Sequence, residues 1–280
     1  MKTYLVLDLE TIDDPEFPPP PPKDGKERRG PPPPPHCQIV CAGYAWVSHE
    51  PRPAARLAGT PEWTIAFEAL YDLPERKILR EVSSCLSEVD PLLVTYGGHN
   101  FDGPVLAARS FRRGVPLPWY YDAPSLRRSA RYRFSSQRHL DLCDELADFG
   151  FRKAGLQSWA LLCGMPGKLD VDGGKVGEMV AAGRINDVAA YCLGDVAMTV
   201  ATMLRRMLLV GELPLDGYRG GVVALLSAMA VEPRLSSFVP FVKRDMLLLS
   251  GVEAQDAADD AVLEDPAGDE HAPDGEEAAE

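Results

Sequence analysis

Two carboxylates interrupt an otherwise apolar segment close to the first residue. Lys2 to Thr11 reads KTYLVLDLET, so Leu5, Val6, Leu7 and Leu9 surround Asp8 and Glu10. On a strand, side chains two apart project from the same face, about 6.6–7 Å apart along the backbone. Burying such a pair without partners is costly. One resolution is a divalent cation, because carboxylate oxygens are hard ligands suited to Mg2+ or Mn2+. The other is a strand end that emerges into solvent with both acids hydrated. On this pair alone both readings stand.

Two further acids occupy positions of the same kind. Leu92 to Tyr96 (LLVTY) reads as a short buried strand that breaks at Gly97–Gly98 and leads into HNFDGPVLAARSFRRG. There Asp102 or Gly103 caps a helix, Pro104 lies in its first turn and Gly114 ends it. Taken singly, Asp102 is an ordinary N-cap. Ile185 to Val210 is the longest helical pattern. Val188, Tyr191, Cys192, Asp195, Met198, Thr199 and Met203 recur in it at steps of three and four. Tyr191 and Asp195 therefore face the core. Singly, they read as a core aromatic and a satisfied buried acid. Four acids at element ends or on a buried face, with a tyrosine one turn before the last, point to one shared site.

The elements that must position them follow from periodicity. Gln38–Val47 and Trp63–Phe67 read as strands, so the chain begins with an antiparallel run. Pro74–Val89 reads as an amphipathic helix with Ile78, Leu79, Val82, Leu86 and Val89 on one face. His139–Cys143 reads as an edge strand and Leu156–Cys163 as a short helix. Met165–Lys168 and Asp170–Lys175 are turns, and Gly221–Val231 and Phe241–Leu249 are further helices. Between the first two strands lies an insert, Pro15–Pro35, with eleven of the chain's 26 prolines. It reads as polyproline or disordered loop without a core of its own. It leaves the first strand beside Glu10, so it can overhang a site there, and its PxxP content offers a dock for a protein partner.

The formal charge of −13 is concentrated at one end. Residues 253–280 hold twelve acids and no lysine or arginine, which leaves 30 acids against 29 bases in the rest. That composition predicts a disordered tail after a single domain spanning residues 1–252. Arg127 to Arg138 (RRSARYRFSSQR) has five arginines, two aromatics and no acid, the composition of a nucleic-acid-binding surface or of a solvated basic loop. Arg131, Tyr132 and Arg133 are its candidate contacts, and Arg109, Arg112 and Arg113 add charge near Asp102. Lys168 is a candidate phosphate contact within its turn. Cys37, Cys41, Cys85, Cys143, Cys163 and Cys192 are scattered without a Cys-x-x-Cys, so a zinc site is not expected. The N-terminal stretch does not read as a signal peptide, and no run of 18 apolar residues suggests a membrane partner. A reduced, cytoplasmic protein is the expectation.

The residues also resemble a family. LVLDLET, NFDGPVL and YCLGDVAMT are similar to the three motifs of the DEDD superfamily of 3′–5′ exonucleases, in its tyrosine-bearing subclass. HLDL, LLCGMPGK, DGGKV and YCLGDV, in that order, resemble a predicted exonuclease family related to the proofreading domain of family-B DNA polymerases. The likeness spans about Lys2 to Gly211. It implies an α/β ribonuclease H-like fold, with a mixed central sheet, antiparallel first strands and flanking helices. It implies a 3′–5′ exonuclease acting on single-stranded nucleic acid through two Mg2+ or Mn2+ ions. Asp8 would bridge both ions, Glu10 and Asp195 would complete one and Asp102 the other, with Tyr191 orienting the attacking water. Phe101 and Asn100 of the second motif would meet substrate. The chain has Gly97 where the family usually has Asn, and its proline insert exceeds the family's connection. A non-catalytic nucleic-acid-binding or interaction module on the same fold is the alternative.

Overall fold

Alternation sorts the first strand between two cores. In the computed structural model, which describes residues 1–21, 28, 30–51, 62–123, 125–167 and 173–252, β1 runs Lys2–Asp13. Its odd residues Leu5, Leu7 and Leu9 enter one apolar cluster, and its even residues Tyr4 and Val6 enter another on the opposite face. Asp8 and Glu10 continue the even row.

β1 is the middle strand of a five-stranded sheet. β2 (Cys37–His49) pairs antiparallel with it, and β3 (Trp63–Tyr71) pairs antiparallel with β2. Helix α1 (Glu75–Val89) then crosses to β4 (Leu92–Thr95), which lies parallel to β1 on its other side. Helix α2 (Asp102–Arg113) and the short α3 (Pro118–Tyr121) lead to β5 (His139–Asp141), parallel to β4. The order β3-β2-β1-β4-β5 is the ribonuclease H-like arrangement, with antiparallel first strands and a parallel second half.

Helices cover both faces. α1 and α2 cover the odd face through Ile78, Leu79, Val82, Leu86, Val105 and Leu106. After α4 (Leu142–Glu145), α5 (Leu156–Cys163) and α6 (Val176–Ala181), the 25-residue α7 (Ile185–Leu209) lies across the even face. α8 (Leu215–Val231) and α9 (Arg244–Leu248) pack outside it. α7 is long and apolar enough to cross a membrane, yet 89% of its most apolar window is buried inside the protein. It is the core helix of the even face.

The insert departs from its expected looseness at its second proline run. The backbone N–H of Asp14 donates to the His36 carbonyl (2.8 Å), which pinches the insert's base. Arg109 of α2, fully buried, donates to Asp14 Oδ2 (2.5 Å), to the Pro35 carbonyl (3.2 Å) and to both oxygens of Glu75 (2.6 and 2.7 Å). The Cys37 thiol donates to the Pro32 carbonyl (3.3 Å). Proline has no N–H to donate, but its carbonyls accept, and these donors hold the run in place. Residues 22–27 and 29 of the insert lie outside the described residues, as does the acidic tail 253–280.

Candidate active site

The even face of β1 brings Asp8 and Glu10 directly under α7. Glu10, Asp102, Tyr191 and Asp195 are buried and Asp8 is half-buried. The helix approaches closely because β2 has Gly43 opposite Asp8. A Cβ on Gly43 would lie 2.8 Å from Cys192 Sγ and 3.4 Å from the Cys192 backbone carbon. The Cys192 thiol in turn lies 3.5 Å from Asp8 Oδ2, as a donor. Between Glu10 and Thr11 the pairing with β2 shifts by one residue. The extra residue is Val40 of β2, so the bulge bends that strand just past the acids.

The four acids converge. Burial pushes the Asp8 carboxyl well above the usual range, and Glu10, Asp195 and Asp102 add to this by charge repulsion. Burial likewise pushes Asp102 up to about 7, against the backbone N–H groups of Asp102 and Leu9 that favour its charged form. Asp102 is the first residue of α2, not its cap: Phe101 holds that position, and Asp102 Oδ1 is buried with no hydrogen-bond partner. Burial raises the Tyr191 phenol, as do the charges of Asp195, Glu10 and Asp8, and its hydroxyl hydrogen-bonds the Asp195 side chain. It stays protonated and acts as a donor. Asp8, Glu10 and Cys192 bring ligand atoms within 4.8 Å of one another.

The loop before Asp102 is held by Asp141 of the HLDL segment. Its carboxylate accepts from the backbone N–H groups of Gly97 (2.7 Å), His99 (2.9 Å) and Cys143 (3.0 Å). Burial pushes Asp141 up, but the His99 ring 3.5 Å away and the backbone N–H groups of His99 and Gly97 override it and hold it near 2. Gly97 has φ +86°, a conformation that L residues other than Asn and Asp rarely adopt. His139 Nε2 pairs with Thr95 Oγ1 (2.8 Å), which fixes the adjacent strand ends. In sequence HLDL offers only an edge strand, and the role of Asp141 emerges from its distant N–H partners. Gly43 did leave a trace, since a lone glycine inside a strand marks a bulge or a close backbone approach.

The expected substrate contacts are differently placed. Phe101 lines a cavity of about 530 Å³ beside Glu10. Asn100 is exposed, and its Oδ1 accepts from Arg133 (2.6 Å). Arg133 also donates to Asp144 (2.7 Å), and the Arg131 guanidinium lies over the Tyr121 ring at 4.7 Å. Tyr132 packs edge-on to Phe134. Arg109, Arg112 and Arg113, expected to add basic surface, are instead paired with Asp14, Glu16 and Glu75. Lys168 lies outside the described residues. A second cavity, about 250 Å³, opens on the α7 side against Tyr191, Asp195 and Phe238.

The mixed five-stranded sheet defines a ribonuclease H-like fold, with a cluster of acids at the end of its middle strand. The chain belongs to the family described as predicted 3′–5′ exonucleases related to the exonuclease domain of PolB, which matches residues 63–243. That match takes in Asp102, Tyr191 and Asp195 and stops short of β1, which the fold supplies as the sheet's centre. No curated protein matches the chain. Among solved structures it is similar to the family B DNA polymerase from the hyperthermophilic archaeon Pyrobaculum calidifontis, at 20% identity and a TM-score of 0.49. The likeness covers 82% of this chain and 29% of the polymerase, so the chain spans less than a third of that protein's length.

Proposed function

We propose that this protein is a 3′–5′ exonuclease of the tyrosine-bearing DEDD class that hydrolyses single-stranded nucleic acid, DNA in preference to RNA. Residues 1–252 form its catalytic unit. The observation that carries the reading is the convergence of Glu10, Asp102 and Asp195 on Asp8. Four acids crowded in a buried cleft repel one another, and such an arrangement lowers stability unless positive charge offsets it. The donor set is rich in carboxylate oxygen, and the unpartnered Asp102 Oδ1 is available to it. It fits a pair of Mg2+ or Mn2+ ions held by Asp8, Glu10, Asp102 and Asp195. When bound, the ions supply an activated water and charge relief at the leaving oxygen.

The chain's own groups then do the positioning. Tyr191, kept protonated, donates a hydrogen bond and holds the attacking water in line; it is no base. The Cys192 thiol is also held protonated by burial, so it orients Asp8 as a donor and is not a thiolate ligand. Phe101 offers a ring to the terminal base. Asn100, Arg131, Tyr132, Arg133 and Lys168 are the contacts proposed for the strand beyond it. The test is purified protein with Mg2+ or Mn2+ on end-labelled single-stranded DNA and RNA, with free and blocked 3′ ends. The expected result is a ladder that a 3′ block stops. Strand binding without cleavage under every metal condition overturns the reading.

A further inference from the structure

We infer that Arg28 and the second proline run form a fixed wall of the substrate cleft, one that admits an unpaired 3′-terminal nucleotide and turns away a paired end. The inference rests on the exonuclease reading and adds what selects the substrate. The cavity beside Glu10 is lined by the end of β1 from Leu9 to Asp13, by Phe101, by Gly174 and Gly177, and by Arg28, Gly30, Pro31 and Pro32 of the insert. Its volume of about 530 Å³ falls in the range of small-molecule sites, about 300–1,000 Å³. That is room for a nucleotide.

The wall is rigid. Pro32 is buried and its carbonyl is held by Cys37, while the Arg109 donors hold the Pro35 carbonyl and Asp14 at the two ends of the insert. Proline adds stiffness of its own, since its ring fixes φ. Arg28 is fixed in the same frame. Its Nη2 donates to both oxygens of Asp13 (2.6 and 2.8 Å) and its Nε to the Gly30 carbonyl (3.2 Å). Its Nη1 makes no hydrogen bond among the described residues and remains available to a phosphate. An aromatic ring and proline rings lining one cavity offer apolar surface to a base, and a guanidinium in the same lining suits the backbone phosphate. A paired partner base would need the space that Pro31 and Pro32 fill.

The test uses full-length protein with Mg2+ and two DNA probes whose last linkages are phosphorothioates, to slow cleavage: a single strand and a blunt hairpin. R28A and P31G are surface changes, since Pro31 is exposed and Arg28 partly so, and melting curves verify their fold. R28A should weaken single-strand binding by about two- to fivefold and lower the slope of log Kd against log salt by about 0.7. P31G should shift the single-strand to hairpin affinity ratio toward the hairpin. Wild-type values in both variants overturn the wall. Failure of the exonuclease reading shows separately, as wild-type protein that binds unmodified strand and never shortens it.

Discussion

Gly43 and Cys192 are in contact, and that contact sets how near α7 comes to Asp8. A methyl group on Gly43 would sit 2.8 Å from the Cys192 sulfur, inside any tolerable separation. G43V should therefore push α7 off the sheet. Overpacking of this kind costs about 1–3 kcal/mol, read as a lower melting temperature. The displaced Tyr191 and Asp195 should also lower nuclease activity. G43A combined with C192A should recover part of the stability that G43A loses, because the two positions are coupled. Equal losses in single and double mutants would show that the helix is not held at this point.

The acid cluster predicts opposite effects on stability and activity. D8N and D195N should each reduce cleavage to background. In EDTA, D8N should melt above the wild type, because it replaces a carboxyl whose ionisation is opposed first by burial and then by the neighbouring acids. One pKa unit of such opposition corresponds to about 1.4 kcal/mol. Mn2+ should raise the melting temperature of the wild type and leave that of D8N nearly unchanged. A D8N protein less stable than wild type in EDTA would contradict the crowding of charge at this strand end.

Tyr191 should matter less than the acids. Its hydroxyl bonds Asp195 and stays protonated, so Y191F removes a donor and leaves every carboxylate in place. Activity should fall by about 10- to 100-fold, at or below the lower end of what a lost general base costs. A loss as complete as that of D8N would refute a purely positioning role.

Asp141 should act at a distance. D141A strips the acceptors from the Gly97 and His99 N–H groups and leaves partly buried donors unsatisfied, at a cost of about 1 kcal/mol for each. The loop that carries Asp102 should loosen. Hydrogen exchange should rise across residues 97–102 and Mn2+ affinity should drop, although Asp141 is assigned no ion. Unchanged exchange in that loop would exclude the role.

The Arg109 cluster predicts acid sensitivity. Burial alone would raise Asp14 and Glu75, but the Arg109 hydrogen bonds override it and hold both below their ordinary values. Carboxyls depressed in the folded state contribute stability that is complete above their unfolded pKa values, about 3.9 and 4.3. It is lost as pH falls through the lower folded values. Melting temperature should fall steeply below about pH 4, and E75Q should flatten that limb. R109M, which strands two carboxylates, should cost about 3–5 kcal/mol at neutral pH.

The arginines show where composition stops being informative. Arg127 to Arg138 contains no acid, so in sequence its guanidinium groups look free. In the fold Arg133 meets Asp144, while Arg138 meets Asp90 across 48 positions and the Trp119 ring. The proline insert misleads in the same way, because Arg109, which holds the Pro35 carbonyl, lies 74 positions away.

Local pattern alone determined the main strands, the long helices and which site candidates share a face: Asp8 and Glu10 share one because strands repeat every two residues, and Tyr191 and Asp195 share one because helices repeat every 3.6. What only the tertiary structure decided is how these faces meet. The approach of α7 over Gly43, the clasp of Asp141 on the Asp102 loop and the seating of the prolines beside Glu10 are pairings between distant segments. A short-range period cannot encode them, because they arise when packing and hydrogen-bond satisfaction are solved for the whole chain at once.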